Sequence, residues 1–197
     1  MATRDGRRRG YFPAPILGRL PRDARRVIAT RAKRLGFVPN FHLLYGLRPR
    51  HLVRWIAHYD ELMLGASELS VLERELIAFV VSRTNQCHYC VTTHGARLRT
   101  LSGHPDFPYR IARNYRHAGL DKKTVAMLDF AVHITRHPGA PGASALARLR
   151  RYGFSDRAAW DVLEVAAMFN FTNRLASGAG IVPNPEYRQM GRAPWSG

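Results

Sequence analysis

Between Glu75 and His94 the chain reads Glu-x11-Cys-x2-Cys-x3-His, and both of its cysteines, Cys87 and Cys90, lie in that stretch. Two thiols separated by two residues, followed by an imidazole and preceded by a carboxylate, are the parts of a thiol-redox centre. The reactive form is the thiolate, so such a centre needs a nearby base and something that stabilises the anion. Thiol chemistry of this kind calls for no cofactor and no resident metal.

A helix over residues 86–98 turns about 100° per residue, which puts Cys90 and His94 one turn apart on one face and Cys87 on the same stripe. His88 and Tyr89 then point elsewhere. Asn85 is the expected N-cap, and Cys87 falls in the first turn, where the helix dipole favours an anion. The dipole therefore points to a thiolate at Cys87, whereas the imidazole one turn along favours proton loss at Cys90.

The elements that must hold this stretch are helical nearly throughout. Residues 22–35 carry Ala24, Val27, Ile28 and Leu35 at helical spacing and stop at Gly36; Asn40 is the expected cap of a short helix over 41–46. Pro49 suits the first position of a helix running to about Leu64, with Leu52, Trp55, Ile56, Tyr59 and Met63 on one side. Ser70-Val-Leu-Glu73 reads as a capping box, so the next helix starts at Val71. That occupies Glu73 and leaves Glu75, on the stripe of Leu72, Leu76 and Phe79, without a structural task. Partial burial would raise its carboxyl pKa and a protonated His94 would lower it, a balance that would poise it as a base.

After the Cys stretch, a helix over about 109–118 is expected to end at Gly119, and Asp121 to cap one running to His137. Gly139–Gly142 reads as a linker or surface loop, and Ser144 and Ser155 as caps of two further helices, the first stopping at Gly153. No stretch sustains period-two alternation. The expected fold class is all-α, with about seven or eight helices.

At 197 residues and 46% hydrophobic, the chain can bury one substantial core. An Arg-rich, flexible segment over 1–19, a single domain over 20–190 and a tail over 191–197 are expected. No apolar run reaches membrane-spanning length, and no apolar stretch of a signal peptide follows the basic N-terminus. A cytoplasmic location without membrane insertion is the expectation; there a Cys-x-x-Cys is more often catalytic or metal-binding than a staple. The net charge of +17 is almost wholly arginine, since Lys33, Lys122 and Lys123 are the only lysines. Those arginines are scattered through every segment and do not alternate with aromatics, which argues for a solvated basic surface and against a specific nucleic-acid partner.

The pattern resembles the signature of the alkylhydroperoxidase D-like (AhpD-like) proteins of the carboxymuconolactone decarboxylase superfamily. Gly36-Phe-Val-Pro-Asn40, Leu69-Ser70…Glu73-Arg-Glu-Leu-Ile-Ala78, Gly153-Phe-Ser-Asp156 and Phe169-Asn-Phe-Thr-Asn-Arg174 are similar to its peroxidase-related branch, over roughly residues 20–190. The resemblance implies a compact all-α fold with the Cys pair at the N-terminus of a central helix. It also implies a homo-oligomer, often built from trimers, and a thiol-dependent peroxidase that reduces hydroperoxides and is recycled by an unidentified dithiol or protein reductant. Under it Cys90 is the peroxidatic cysteine and Cys87 the resolving one, with His94 and Glu75 as the proton relay. The family's best-known member has a histidine directly before its second cysteine, where this chain has Tyr89; tyrosine is a poor base near neutral pH.

Three other readings fit some of the same residues. One is a decarboxylase or lactone-processing enzyme of the same superfamily, working by acid–base chemistry; its members lack the Cys pair. Another is a zinc site at Cys87, Cys90 and His94, completed by His88 or His104, although the spacing is unlike common zinc modules. The third is a non-catalytic, nucleic-acid-associated protein. Glu75 also suits an internal ion pair with an arginine. Asp129 and His133, one turn apart, suit a hydrogen bond, Asn173-Arg174 a structural role, and His42, His51 and His58 a place on helix surfaces.

Overall fold

A computed structural model describes residues 9–139 and 142–192. Among the described residues there are ten α-helices and no strands: α1 (Arg22–Leu35), α2 (Asn40–Tyr45), α3 (Pro49–Leu64), α4 (Val71–Thr84), α5 (His88–Ser102), α6 (Phe107–Asn114), α7 (Lys122–Arg136), α8 (Ala143–Arg151), α9 (Asp156–Gly178) and α10 (Glu186–Gln189). None of them is long and apolar enough to cross a membrane.

The centre is α4. Every residue from Arg74 to Ser82 is buried, as expected of a helix that is apolar all round. It packs against α5, α7 and α9, and Ile77, Val81, Leu98, Met127, Leu128, Val162 and Phe169 of these helices have almost no exposed surface. The capping box forms as the sequence indicates: Ser70 Oγ accepts from the Glu73 N–H at 3.2 Å while Glu73 Oε2 accepts from the Ser70 N–H at 2.8 Å. Gly95 lets α5 lie close on α4, since a Cβ there would meet the Phe79 ring at 3.3 Å.

α5 starts two residues later than the sequence suggests, at His88. Asn85 does not cap α5. It ends α4 in a Schellman turn, in which Cys87 N–H donates to Ser82 O at 3.0 Å and Gln86 N–H to Arg83 O at 3.1 Å. Gln86 takes the left-handed position at φ 55°, one usually filled by glycine. Cys87 is thereby both the last residue of that turn and the N-cap of α5, not a first-turn residue.

Other boundaries move for similar local reasons. Asn40 is the first residue of α2 rather than its cap: its N–H donates to Asn184 Oδ1 at 2.7 Å and its Nδ2 to Val182 O at 2.8 Å, which ties α2 to the C-terminal segment. α6 starts at Phe107 with Pro108 in its first turn and gives way to a 3₁₀ turn at Tyr115. α8 begins at Ala143 with Gly142 before it, so Ser144 lies inside the helix. Asp121 and Ser155 do cap α7 and α9. Of the segment 1–19 expected to be flexible, residues 1–8 lie outside the described residues. Arg9–Tyr11 is anchored to the C-terminal segment, with Tyr11 N–H donating to Ala179 O at 2.8 Å and Val182 N–H to Arg9 O at 3.0 Å.

Several arginines are braces rather than solvated charges. Arg74 is buried and donates to Leu62 O and Gly65 O at 3.1 and 3.0 Å, satisfying carbonyls at the end of α3 and just beyond it. Arg99, also buried, donates to Met190 O and Tyr187 O at 2.8 and 2.6 Å and so holds α10 against α5.

The capping box is separate from the buried centre of α4, so Ser70→Ala should lower unfolding stability by about 1 kcal/mol. Denaturant melts read the loss, and the reactivity of the thiols should be unchanged.

Candidate active site

The hairpin of α4 and α5 sets two levels of chemistry about two turns apart along both helices. At the turn lie Ser82, Cys87 and Cys90; deeper in lie Glu75, His94 and Arg97. Cys87 and Cys90 are free thiols, 0% and 2% exposed. All four residues singled out in the sequence come together here.

At the deeper level Glu75 is fully buried and grips an imidazole and a guanidinium. Its Oε2 lies 2.6 Å from His94 Nδ1, and its Oε1 accepts from Arg97 Nε. Burial pushes its carboxyl pKa up, but the charges and hydrogen bonds of His94 and Arg97 together bring it below its ordinary value. Glu75 is thus ionised at neutral pH and is not the poised base expected from its apolar neighbours. With Nδ1 held by Glu75, His94 exchanges protons with its surroundings through Nε2. Its ring is packed edge-on against Phe169, with centroids 4.6 Å apart.

At the turn the two sulfurs share a hydrogen bond. The Cys90 thiol donates to Cys87, whose pKa is lowered to about 6 despite burial, helped by the Cys90 backbone N–H and the Ser177 hydroxyl. The same bond and burial push the Cys90 thiol well up, partly offset by hydrogen bonds from Asn173 and Ser82. The two shifts run in opposite directions and favour proton loss at Cys87 over Cys90. The bare end of α5 acts through the N–H of Cys90, so the dipole argument holds although Cys87 is the N-cap.

The two sulfurs open in different directions. Cys90, His94 and Arg97 line a cavity of about 80 Å³ walled by Phe41, Trp55, Tyr59 and Phe169. Cys87 lines a separate, more open cleft of about 350 Å³ with Gln86, His88, Ser177 and Arg188. Tyr89, in place of the histidine of the resemblance, is buried between the two; its hydroxyl accepts from the Phe41 N–H at 3.4 Å, and burial drives its pKa well above the usual range. Tyr89 therefore stays protonated.

Among the described residues no group of three or more His, Cys, Asp and Glu side chains assembles as a metal site. His88 and His104 are exposed. His42 is not a surface residue: it is buried, and burial together with Arg31 lowers its pKa to about 3. Asp129 does not pair with His133; it accepts from Tyr115 at 2.7 Å and pairs with Arg116 and Arg148 at 2.7 and 3.2 Å.

Four residues of the site escape a reading of the motif. Arg97 continues the stripe Cys87–Cys90–His94 by one turn, and Ser82 lies two turns from Glu75 on α4, so helical spacing could have flagged both. Asn173 and Ser177, one turn apart on α9, carry no such local signal. Asn173 Nδ2 donates to Ser82 Oγ at 3.0 Å and its Oδ1 accepts from Asn85 Nδ2 at 2.9 Å.

Comparison with known proteins agrees with this architecture. A family model described as the carboxymuconolactone decarboxylase family matches residues 50–106. An uncharacterized peroxidase-related protein from Ralstonia eutropha JMP134, described as an alkylhydroperoxidase AhpD core, is 37% identical, with a TM-score of 0.91 over 95% of this chain and 99% of that one. A peroxidase-related protein from Silicibacter sp. TM1040 is 40% identical, with a TM-score of 0.88 over 94% and 97% of the two chains. The debrominase Bmp8, at 19% identity and a TM-score of 0.77 over 90% and 94%, shares the fold. No curated protein sequence matches the chain significantly.

The shared proton has a measurable signature. In the reduced protein the ultraviolet thiolate absorbance should rise with a first midpoint near pH 6. Cys90→Ala removes the S–H donor and should move that midpoint towards the ordinary cysteine value of 9.0. An unmoved midpoint rules out the thiol–thiolate pair.

Proposed function

The chain belongs to the AhpD-like group of the carboxymuconolactone decarboxylase superfamily, and on that footing we propose that it is a thiol-dependent peroxidase that reduces hydroperoxides through Cys90 and Cys87. The observation that carries the reading is that Cys90 and the Glu75-anchored His94 open on one small cavity, while Cys87, hydrogen-bonded to Cys90, opens on another side.

The proposed cycle balances as follows. A hydroperoxide enters the cavity and the Cys90 sulfur attacks its terminal oxygen as the Cys90 proton passes to the Cys87 thiolate. The O–O bond breaks, and the leaving alkoxide takes a proton delivered through His94 Nε2 or water. The products are an alcohol and a Cys90 sulfenic acid. Cys87 then attacks that sulfur, the S–O bond breaks, and the departing oxygen leaves as water with the Cys87 proton. An external dithiol returns the disulfide to two thiols; its approach to Cys87 from the open cleft releases Cys90 as the leaving thiolate.

In this scheme Glu75 is a positioning residue. Its ionised carboxylate fixes the His94 tautomer and ring orientation, as a buried carboxylate does for an imidazole base. Arg97 keeps that carboxylate charged.

One equivalent of hydrogen peroxide should consume two thiols per chain in the wild-type protein, with neither Cys90→Ser nor Cys87→Ser forming the intramolecular disulfide. Persistence of both thiols rejects the peroxidase; a Cys87→Ser/Cys90→Ser protein with full turnover on some substrate would favour acid–base chemistry instead. Glu75→Gln should slow stopped-flow oxidation about 10- to 1000-fold. Glu73→Gln should react at the wild-type rate while melting slightly earlier, since that carboxylate serves only the capping box.

A further inference from the structure

The cavity beside Cys90 has a chemical bias that the peroxidase reading does not use. Its lining includes Arg31, Arg34 and Arg97 and no aspartate or glutamate. The carboxylates that partner Arg31 and Arg97, Asp60 and Glu75, stand behind the wall. Arg34 has no carboxylate partner among the described residues and leaves uncompensated positive charge on the lining.

Two polar atoms of the lining residues are left over. Nε1 of Trp55 and Nδ1 of His42 are buried with no hydrogen-bond partner among the described residues. Their rings are 5.9 Å apart, both on the cavity, and His42 is only 9% exposed. Buried polar atoms are nearly always paired, so two adjacent orphans on residues that line one cavity point to a missing partner. An indole N–H can only donate, which makes that partner an acceptor. His42 is held neutral at working pH by burial and by Arg31, and its Nδ1 can donate alongside Trp55 in the Nδ1–H tautomer.

Size limits the rest of the molecule. A cavity of about 80 Å³ has room for roughly five to eight water-sized groups. Beyond the polar pair, Phe41, Tyr59 and Phe169 offer an apolar surface to a short carbon body.

We infer that Trp55 and His42 form a head-group subsite, and that the cavity selects small hydroperoxides bearing a carboxylate, oriented with the acid on that pair and the peroxide at Cys90. The substrate class rests on the peroxidase reading; the subsite itself rests only on the cavity.

The test compares two near-isosteric oxidants, tert-butyl hydroperoxide and α-hydroperoxyisobutyrate, in which a carboxylate replaces one methyl. Stopped-flow thiol oxidation by the acid should be about 10-fold faster or more, the worth of a hydrogen bond to a charged group. Trp55→Phe should erase most of that preference. Arg34→Gln, a change at an exposed residue, should cut it about two- to fivefold. Trp160→Phe, on the exposed outside of α9, should leave the preference intact. Equal or slower reaction with the acid overturns the inference. Calorimetric titration with isobutyrate, which cannot oxidise anything, reads the subsite apart from peroxidase chemistry. Binding that is weakened by Trp55→Phe and by Arg34→Gln supports the subsite even if no peroxide oxidises the thiols, an outcome that would sink the peroxidase reading alone. No isobutyrate binding overturns the subsite whatever the peroxides do.

Discussion

A carboxylate at the centre of an otherwise apolar helix is the constraint that organises this molecule. Glu75 has no exposed surface, and an unpaired charge there would cost several kcal/mol. It is tolerable only because α5 brings a hydrogen-bonded imidazole and a guanidinium to its two oxygens. Both partners come from one face of one helix, so the ion cluster defines how far α5 is slid and rotated along α4. Any other register would strand the charge.

That register in turn settles the sulfurs. With His94 and Arg97 opposite Glu75, the start of α5 falls opposite the end of α4, and the chain has only Asn85, Gln86 and Cys87 with which to reverse. The Schellman turn, with Gln86 in the left-handed region, does this and leaves Cys87 at the mouth of α5. Free N–H groups at a helix start favour negative charge beside them, and the Cys90 N–H contributes to the lowered pKa of the Cys87 thiol. The ion cluster and the thiol–thiolate pair are thus two consequences of a single hairpin, joined by helical periodicity.

The large positive charge is partly structural. Arg31, Arg74 and Arg99 are buried, and Arg74 and Arg99 spend their donors on backbone carbonyls. A planar guanidinium can satisfy several carbonyls at once where an ammonium offers a single point of charge, which suits a chain of short helices with many ends to close. This gives the arginine bias a physical use that requires no polyanionic partner.

How much of this was readable beforehand follows from the range of each interaction. Helix identity, the Ser70, Asp121 and Ser155 caps and the turns at Gly36, Gly119 and Gly153 depend on neighbours within a few residues, and the sequence determined them by itself. So did the grouping of Glu75, Cys87, Cys90 and His94, because helical spacing and one hairpin are enough to assemble it. The tertiary structure alone decided three further things. Glu75 is held ionised, because His94 and Arg97 together outweigh its burial. Asn173 and Ser177 reach the sulfurs, because α9 packs across the hairpin from far along the chain. His42 is buried beside Trp55, because α2 is drawn in by Asn40 and the C-terminal segment. Each of these depends on which helix faces which, and hydrophobic patterning records that a face is buried without recording against what.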